Sequence, residues 1–359
     1  MLEFEKKLKG KKIFLTGHTG FTGSWAVLWL KRIQAEIVGF SLPPETEPSL
    51  FKIADLEKDV KSIIGDIRNY DALLSAMKEC APELVLHLAA QPLVRRSYRE
   101  PLLTYETNVI GTANVMEAVR SVPSVKSLLV VTTDKVYKNK EWEWSYREID
   151  ELGGGDPYSA SKAAAEFVID SYADKVYPLN SNSIGVATAR GGNIIGGGDW
   201  SEDRLIPDFV RSVVDEKTLN IRSPDATRPW QHVLALVQGY LMLLAGMTDN
   251  SEYFSGKWNF GPYDSEEKTV RDVIEILSDS WKWPQIEYGI QNLPEAGKLT
   301  IDSSLARKKL GWLPPWSTEK AIQETSHWYR QYYSDPSSII NFSLNQVDNW
   351  RGEIEQKKI

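Results

Sequence analysis

Tyr158 and Lys162 stand four residues apart in a stretch, 157–173, whose periodicity predicts a helix, so both side chains share one face. A free phenol, with a pKa of about 10, is a poor base at neutral pH. An ammonium nearby favours the phenolate, so the pair suits removal of a hydroxyl proton while hydride leaves the same carbon. Thr133-Asp134-Lys135 follows an apolar run at 128–132. An acid and a base placed side by side beyond a strand end suggest chemistry past simple alcohol oxidation.

A third constellation is the turn Thr16-Gly17-His18-Thr19-Gly20-Phe21-Thr22-Gly23. It follows a strand-like run at 13–15 and opens a helix at 21–33, the context that makes a glycine pattern a dinucleotide fingerprint. Gly17 permits the tight turn, Gly20 lets backbone approach a pyrophosphate, and Gly23 lets the helix lie close on the sheet. Phe21 begins the helix whose N-terminus favours the anion. His18 either meets the pyrophosphate or packs in the turn. The second strand ends Val38-Gly39-Phe40-Ser41-Leu42, with no acid for the ribose and no arginine for a 2′-phosphate. That leaves NAD or NADP open, and the missing arginine favours NAD. Asp66, with Ile67 beside it, falls at the end of the third strand, where it either reaches the adenine or caps a helix.

The elements that must position these groups alternate. Strands are expected at 13–15, 36–40, 60–64, 84–87, 128–132 and 184–189. Helices are expected at 21–33, 69–79 with Asn69 as N-cap, 101–122 and 157–173. Continuous apolar strands between helices imply an α/β fold, a Rossmann-like doubly wound parallel sheet covered on both faces. The rhythm loosens after Arg190. A smaller, discontinuous α/β substrate-binding lobe is expected from 191–228 and 263–345. The first domain takes 1–190 and about 229–262, and 346–359 reads as a polar C-terminal tail, frayed over 351–359.

Among the 359 residues, 49 are acidic and 42 basic, so no basic surface for nucleic acid is expected. One cysteine, Cys80, allows no internal disulfide, and four scattered histidines make a metal site unexpected. The start lacks the apolar stretch of a signal peptide. The apolar run at 233–247 is shorter than the roughly 20 residues a membrane helix needs, so it reads as a buried helix. A cytoplasmic setting without membrane contact is the expectation. Eleven of the 13 tryptophans fall from Trp142 onward, mostly as packing for the second lobe, with Trp142, Trp144 and Trp230 nearest the cleft.

Taken together, these segments resemble the extended short-chain dehydrogenase/reductase superfamily, and within it the nucleotide-sugar 4,6-dehydratases. The resemblance spans essentially the whole chain. It also takes in Leu88-Ala89-Ala90 after the fourth strand and Asn108 in Thr107-Asn108-Val109-Ile110-Gly111-Thr112. Gly17-His18-Thr19-Gly20-Phe21, Thr133-Asp134-Lys135-Val136-Tyr137 and Arg228-Pro229-Trp230-Gln231-His232-Val233 match the subtype acting on CDP-glucose more closely.

The resemblance implies NAD held by the glycine turn, by Asp66, Ile67, Leu88, Ala89, Ala90 and Asn108, and by Tyr158 and Lys162. It implies oxidation at C4, loss of water across C5 and C6, and return of hydride to C6. Tyr158, with Lys162 and Thr133, would take the 4-hydroxyl proton, and Asp134, protonated, would serve the leaving hydroxyl. Relatives carry glutamate where this chain has Lys135. The lysine is then either the C5 base, which requires a neutral amine, or a charged stabiliser of the enolate. Gln91, Asn193, Arg204, Arg228 and Asn259 would hold the nucleotide sugar, Arg228 at the pyrophosphate. A homodimer through the helices at 101–122 and 157–173 is also implied, as is a product feeding bacterial surface polysaccharide. Alternatives are a dTDP-glucose or GDP-mannose dehydratase, a nucleotide-sugar 4-epimerase, or a non-catalytic NAD(P)-sensing protein on the same fold.

Overall fold

The computed structural model describes residues 1–179, 184–263, 266–289 and 298–357. Seven strands form one sheet: β1 (Lys12–Thr16), β2 (Glu36–Ser41), β3 (Lys61–Ile64), β4 (Leu84–His87), β5 (Ser127–Val131), β6 (Gly185–Arg190) and β7 (Gly256–Asn259). They lie in the order β7-β6-β5-β4-β1-β2-β3, and every pairing is parallel. Strand order reverses between β1 and β4, which opens a crevice at the C-terminal edge.

The apolar runs exist because both faces are buried. Ile13, Leu15, Leu84, Leu86 and Leu129 point into one core, and Phe14, Val85, Leu128, Val130 and Val186 into the other. This is period-two alternation with two hydrophobic sides, as a helix-covered parallel sheet requires.

Eight helices matter here: α1 (Glu3–Leu8), α2 (Phe21–Arg32), α3 (Tyr70–Cys80), α4 (Gly111–Arg120), α5 (Pro157–Ser171), α6 (Val233–Asp249), α7 (Thr318–Ser334) and α8 (Ile339–Lys357). Asn69 caps α3 by accepting from Ala72 N at 3.1 Å. Asp156 caps α5 by accepting from Ser159 N at 2.9 Å, with Pro157 at the first turn. His232 caps α6 through Nδ1, walled by Trp25, Trp316 and Trp350, so it is a packing residue. Cys80 is buried, and burial pushes its thiol up to about 11.

Three expectations need correction. The seventh strand, β7, was not anticipated, because four residues beginning at Gly256 carry too weak a pattern. The 101–122 helix is not uniform: a wide π turn at Glu106–Ile110 joins Pro101–Tyr105 to α4. The stretch 346–357 is no loose polar tail, for α8 runs to Lys357 and buries Val347, Trp350 and Ile354. Trp350 Nε1 donates to Gln238 Oε1 at 3.0 Å. Arg351 donates to Glu5 at 2.6 and 3.0 Å. Three residues of one helical face therefore dock α8, although the composition around them is polar.

Beyond the sheet, short strand pairs join 194–195 to 231–232, 227–228 to 268–269 and 219–221 to 286–288. Tryptophans fill the space between, as expected. Trp200, Trp312, Trp316 and Trp328 are buried, and a Cβ on Gly197 would lie 1.9 Å from the Trp328 ring. No helix among the described residues is long and apolar enough to cross a membrane. Among them no cluster of metal-ligating side chains occurs either.

Candidate active site

The crevice at the strand ends is a cleft of about 1560 Å³. One arm is built on the glycine turn. Gly17 has φ +77°, and its Cβ would lie 2.7 Å from Ala89 N, so only glycine lets the turn sit against the end of β4. A Cβ on Gly23 would lie 2.1 Å from Gly17 O, so Gly23 seats α2 on the turn. Gly20 differs: a Cβ there meets only Gly17 O, at 3.4 Å. The protein itself tolerates a side chain at Gly20, and the space it would take is cleft. Gly20 is also the N-cap of α2 and offers no side-chain cap. Open backbone N–H groups beside vacant space fit a pyrophosphate. Phe21, Ile67, Leu88, Ala89 and Ala90 line the same arm.

His18 does not reach the cleft. Its ring lies where a Cβ on Gly39 would be and meets Phe51 edge-on, and Nε2 bonds to Ser62 Oγ at 2.7 Å. Burial lowers its pKa to about 4. It packs beneath the turn. Asp66 lines the cleft with its carboxylate held by the Arg68 backbone and guanidinium, and Arg68 lowers its pKa. Asn108 lies behind the wall: its Oδ1 accepts from Gln91 N at 2.8 Å and its Nδ2 donates to Ser161 Oγ at 2.9 Å. It therefore ties the loop after β4 to α5 and does not line the cleft.

The other arm holds the expected chemistry. Tyr158, Lys162, Thr133, Asp134 and Lys135 all line it. Lys162 Nζ donates to Val131 O at 3.1 Å, and burial lowers its pKa to about 8. Tyr158 is almost fully buried, and that burial pushes its phenol up to about 12, against a hydrogen bond with Thr133 and the Arg204 charge that pull it down. The simple expectation of a phenolate made by Lys162 is thus incomplete, because desolvation outweighs the attraction in the protein alone.

Thr133 Oγ donates to Asp134 Oδ1 at 2.9 Å. Asp134 is 0% exposed, and its Oδ2 has no hydrogen-bond partner among the described residues. Room for that carboxyl comes from Gly192, where a Cβ would lie 1.8 Å from Oδ2. Lys135 is half-buried at the cleft, and its amine makes no ion pair or hydrogen bond among the described residues. Trp142 and Trp144 do not cover the cleft. They pack on each other, and Trp142 also stacks on Tyr146, whereas Trp230 does line it.

Among the residues expected at a substrate, Asn193 has φ +45° and a buried Oδ1 at the cleft with no hydrogen-bond partner among the described residues. Arg204 lies 3.3 Å from Asp199, and Arg228 donates to Thr227 O at 2.8 Å. Both line the cleft. Gln91 lines it too, but its amide is spent on Leu93 and Thr104. Asn259 is wrongly placed by the sequence reading. It is 0% exposed, with Nδ2 on Tyr146 O and Asp302 O and Oδ1 accepting from Tyr137.

Sequence reasoning missed Gly192 and the Glu166–Arg190 pair. Arg190 Nε and Nη2 meet Glu166 Oε1 and Oε2 at 2.9 and 3.0 Å, both side chains wholly buried. Glu166 also accepts from Thr132 Oγ at 2.7 Å. The available signal was the spacing of Tyr158, Lys162 and Glu166, each four residues on.

The buried Lys162 has a consequence for stability. Its folded pKa, about 8, lies below the 10.5 of a free lysine, so between those values the unfolded chain binds more protons and stability rises with pH. Lys162→Met should therefore be more stable than the parent at pH 7 by roughly 3 kcal/mol. The gap should close as pH passes about 10. Thermal melts of both proteins across this range check it, and an equal or lower melting temperature at pH 7 contradicts it.

Residues 14–325 match the family model described as GDP-mannose 4,6 dehydratase. The chain is 41% identical over 339 residues to a CDP-glucose 4,6-dehydratase of Salmonella typhimurium, covering 92% of this chain and 94% of that protein. It is 26% identical to dTDP-glucose 4,6-dehydratase 1 of Escherichia coli, over 94% and 97% of the two chains. Among solved structures, dTDP-glucose 4,6-dehydratase of Bacillus anthracis in complex with NAD superposes with a TM-score of 0.75 at 26% identity, covering 90% of this chain and 97% of that one. With the fold, the glycine turn and the Tyr158/Lys162 arm, these similarities make the chain a member of the GDP-mannose 4,6-dehydratase family of extended short-chain dehydrogenases/reductases.

Proposed function

We propose that the chain is an NAD-dependent CDP-glucose 4,6-dehydratase, a hydro-lyase giving CDP-4-keto-6-deoxy-glucose. The observation that carries the reading is the convergence of Tyr158, Lys162, Thr133, Asp134 and Lys135 on one cleft that also reaches the glycine turn. The 41% identity to a CDP-glucose 4,6-dehydratase supports the nucleotide. A 4-epimerase needs no acid and base beyond the Tyr158/Lys162 arm, so Asp134 and Lys135 in the cleft favour dehydration.

NAD, when bound, would supply the hydride acceptor for C4 and the hydride donor for C6. The turn residues Gly17, Gly20 and Gly23, with Phe21, Asp66, Ile67, Leu88, Ala89 and Ala90, would hold it. Tyr158 accepts the 4-hydroxyl proton, assisted by Thr133 and Lys162. Asp134 protonates the departing C6 hydroxyl, and Lys135 takes and returns the C5 proton. Asn193, Arg204 and Arg228 hold the nucleotide sugar, and the segments 191–228 and 263–345 form the lobe around it. His18, Asn108 and Asn259 lie behind the cleft wall, bonded to Ser62, to Gln91 and Ser161, and to Tyr146 and Asp302, and act by positioning.

Leu102, Ile110 and Phe167 are exposed on the 101–120 helical run and α5, and we assign that face to a homodimer. The cytoplasm, where nucleotide sugars and NAD are both found, is the proposed compartment. The product would feed deoxysugars for surface polysaccharide.

Incubation with CDP-, dTDP-, GDP- and UDP-glucose and GDP-mannose, without added cofactor, tests the reading. A 4-keto-6-deoxy product from CDP-glucose is expected. A C4 epimer would make the chain an epimerase, and no turnover with any of them would leave a sensor. For Lys135, Lys135→Met should abolish C5–H exchange with solvent, and exchange that survives removes the base role. Sedimentation of Phe167→Glu should show monomer where the parent shows dimer, and a parent that is already monomeric rules the interface out.

A further inference from the structure

The proton traffic of the dehydration does not close at the residues that begin it. Tyr158 ends the reaction carrying the proton taken from the 4-hydroxyl. Asp134 ends it as a carboxylate, because its proton has left in water. Lys135 cannot make up the difference, since the C5 proton it removes returns to C5. The redox change cancels within the turnover. One proton too many on Tyr158 and one too few on Asp134 is what remains.

We propose that Tyr158, Thr133 and Asp134 form a single proton-carrying unit in which the Thr133 hydroxyl passes the surplus proton to Asp134. The proposal rests on the dehydratase reading above. In the transfer, the Tyr158 O–H bond breaks and its proton goes to a lone pair of Thr133 Oγ. The existing Thr133 O–H bond breaks and its proton goes to Asp134 Oδ1. Tyr158 is left as phenolate, Asp134 as acid and Thr133 unchanged.

Three observations support this route. Thr133 Oγ already donates to Asp134 Oδ1 at 2.9 Å, the direction the transfer needs. Tyr158 lines the same cleft as Thr133, and the threonine hydroxyl pulls its phenol's pKa down. Asp134 is 0% exposed and Thr133 only 5%, so bulk water does not reach the carboxyl. Gly192 is the reason the carboxyl fits so deep, since any side chain there would displace it. Other charges facing the unit are Arg204 and Asp156, near Tyr158, and Lys162. None of the described residues bonds to Asp134 Oδ2, so Thr133 is the side-chain donor to this acid.

Thr133→Val keeps the shape and removes the hydroxyl, and Thr133→Ser restores it. Product formed after mixing the enzyme with excess CDP-glucose at fixed pH and ionic strength is followed from the first turnover, with bound NAD content as a check on folding. The parent and Thr133→Ser should show no burst. Thr133→Val should form about one equivalent of product per site and then slow roughly 100-fold, because the first turnover uses the resting protons and later ones need the relay. A Thr133→Val steady rate equal to the parent's, or a first turnover as slow as the later ones, overturns the relay. A parent with no 4-keto-6-deoxy product from any nucleotide sugar fails the functional reading instead, which separates the two.

Discussion

The site depends on one buried ion pair. Glu166 and Arg190 bind in two parallel hydrogen bonds with neither side chain exposed. Glu166 belongs to α5, the helix of Tyr158 and Lys162, and Arg190 ends β6. Glu166 also accepts from Thr132, next to Thr133, and from Thr188. Arg190 reaches on to Tyr137 and to Glu148 O, and Tyr137 to Asn259 at the end of β7. One charge pair thus fixes the helix with the base, the strand end with the acid, and the outer strand. Removing one partner of such a pair typically costs 3–5 kcal/mol, because the other charge is left buried alone. The pair itself adds little net stability; what it supplies is a single arrangement of three elements that the reaction needs at once.

Close approach is the second constraint, and glycine is its instrument. At Gly17 the turn touches the backbone of Ala89, at Gly23 the helix touches the turn, and at Gly192 the strand-end loop touches a carboxyl. In each case the contact would be impossible with a Cβ, and in each case a different function follows: a bent turn, a seated helix N-terminus, an acid placed out of water. Gly20 is the exception that identifies the ligand side, because nothing in the protein forbids a side chain there.

The fold was legible because its signals are local or periodic. Continuous apolar strands separated by helices leave few topologies once both faces must be covered. Tyr158 and Lys162 were legible for the same reason, by helical spacing. What was lost were groups whose role is set by long-range contact. Nothing near Asn259 says that its amide is already spent on Tyr146 and Asp302, or near His18 that Gly39 leaves a slot for its ring. The C-terminal segment misled because its charged residues outnumber the few apolar ones that dock it. In a helix, one side chain in every three or four suffices to bury a face, and composition averages that face away.

The cluster at the strand ends also shows why such a site needs a large scaffold. Tyr158, Lys162, Thr133 and Asp134 are all buried. Burial raises the phenol and lowers the amine, and both shifts favour the neutral forms over the charged ones. Each is a cost to folding that disappears if the polar group is replaced by an apolar one of similar shape. The offset is the apolar core on both faces of the sheet and the tryptophan-packed region beyond it. The same desolvation that costs stability brings the titrations of the ammonium and phenol to about 8 and 12, moving the base form of Lys162 towards neutrality and that of Tyr158 away from it. A positive charge arriving beside the phenol would act on a group with little water to screen it, and its pull there would be several times what it is at the surface.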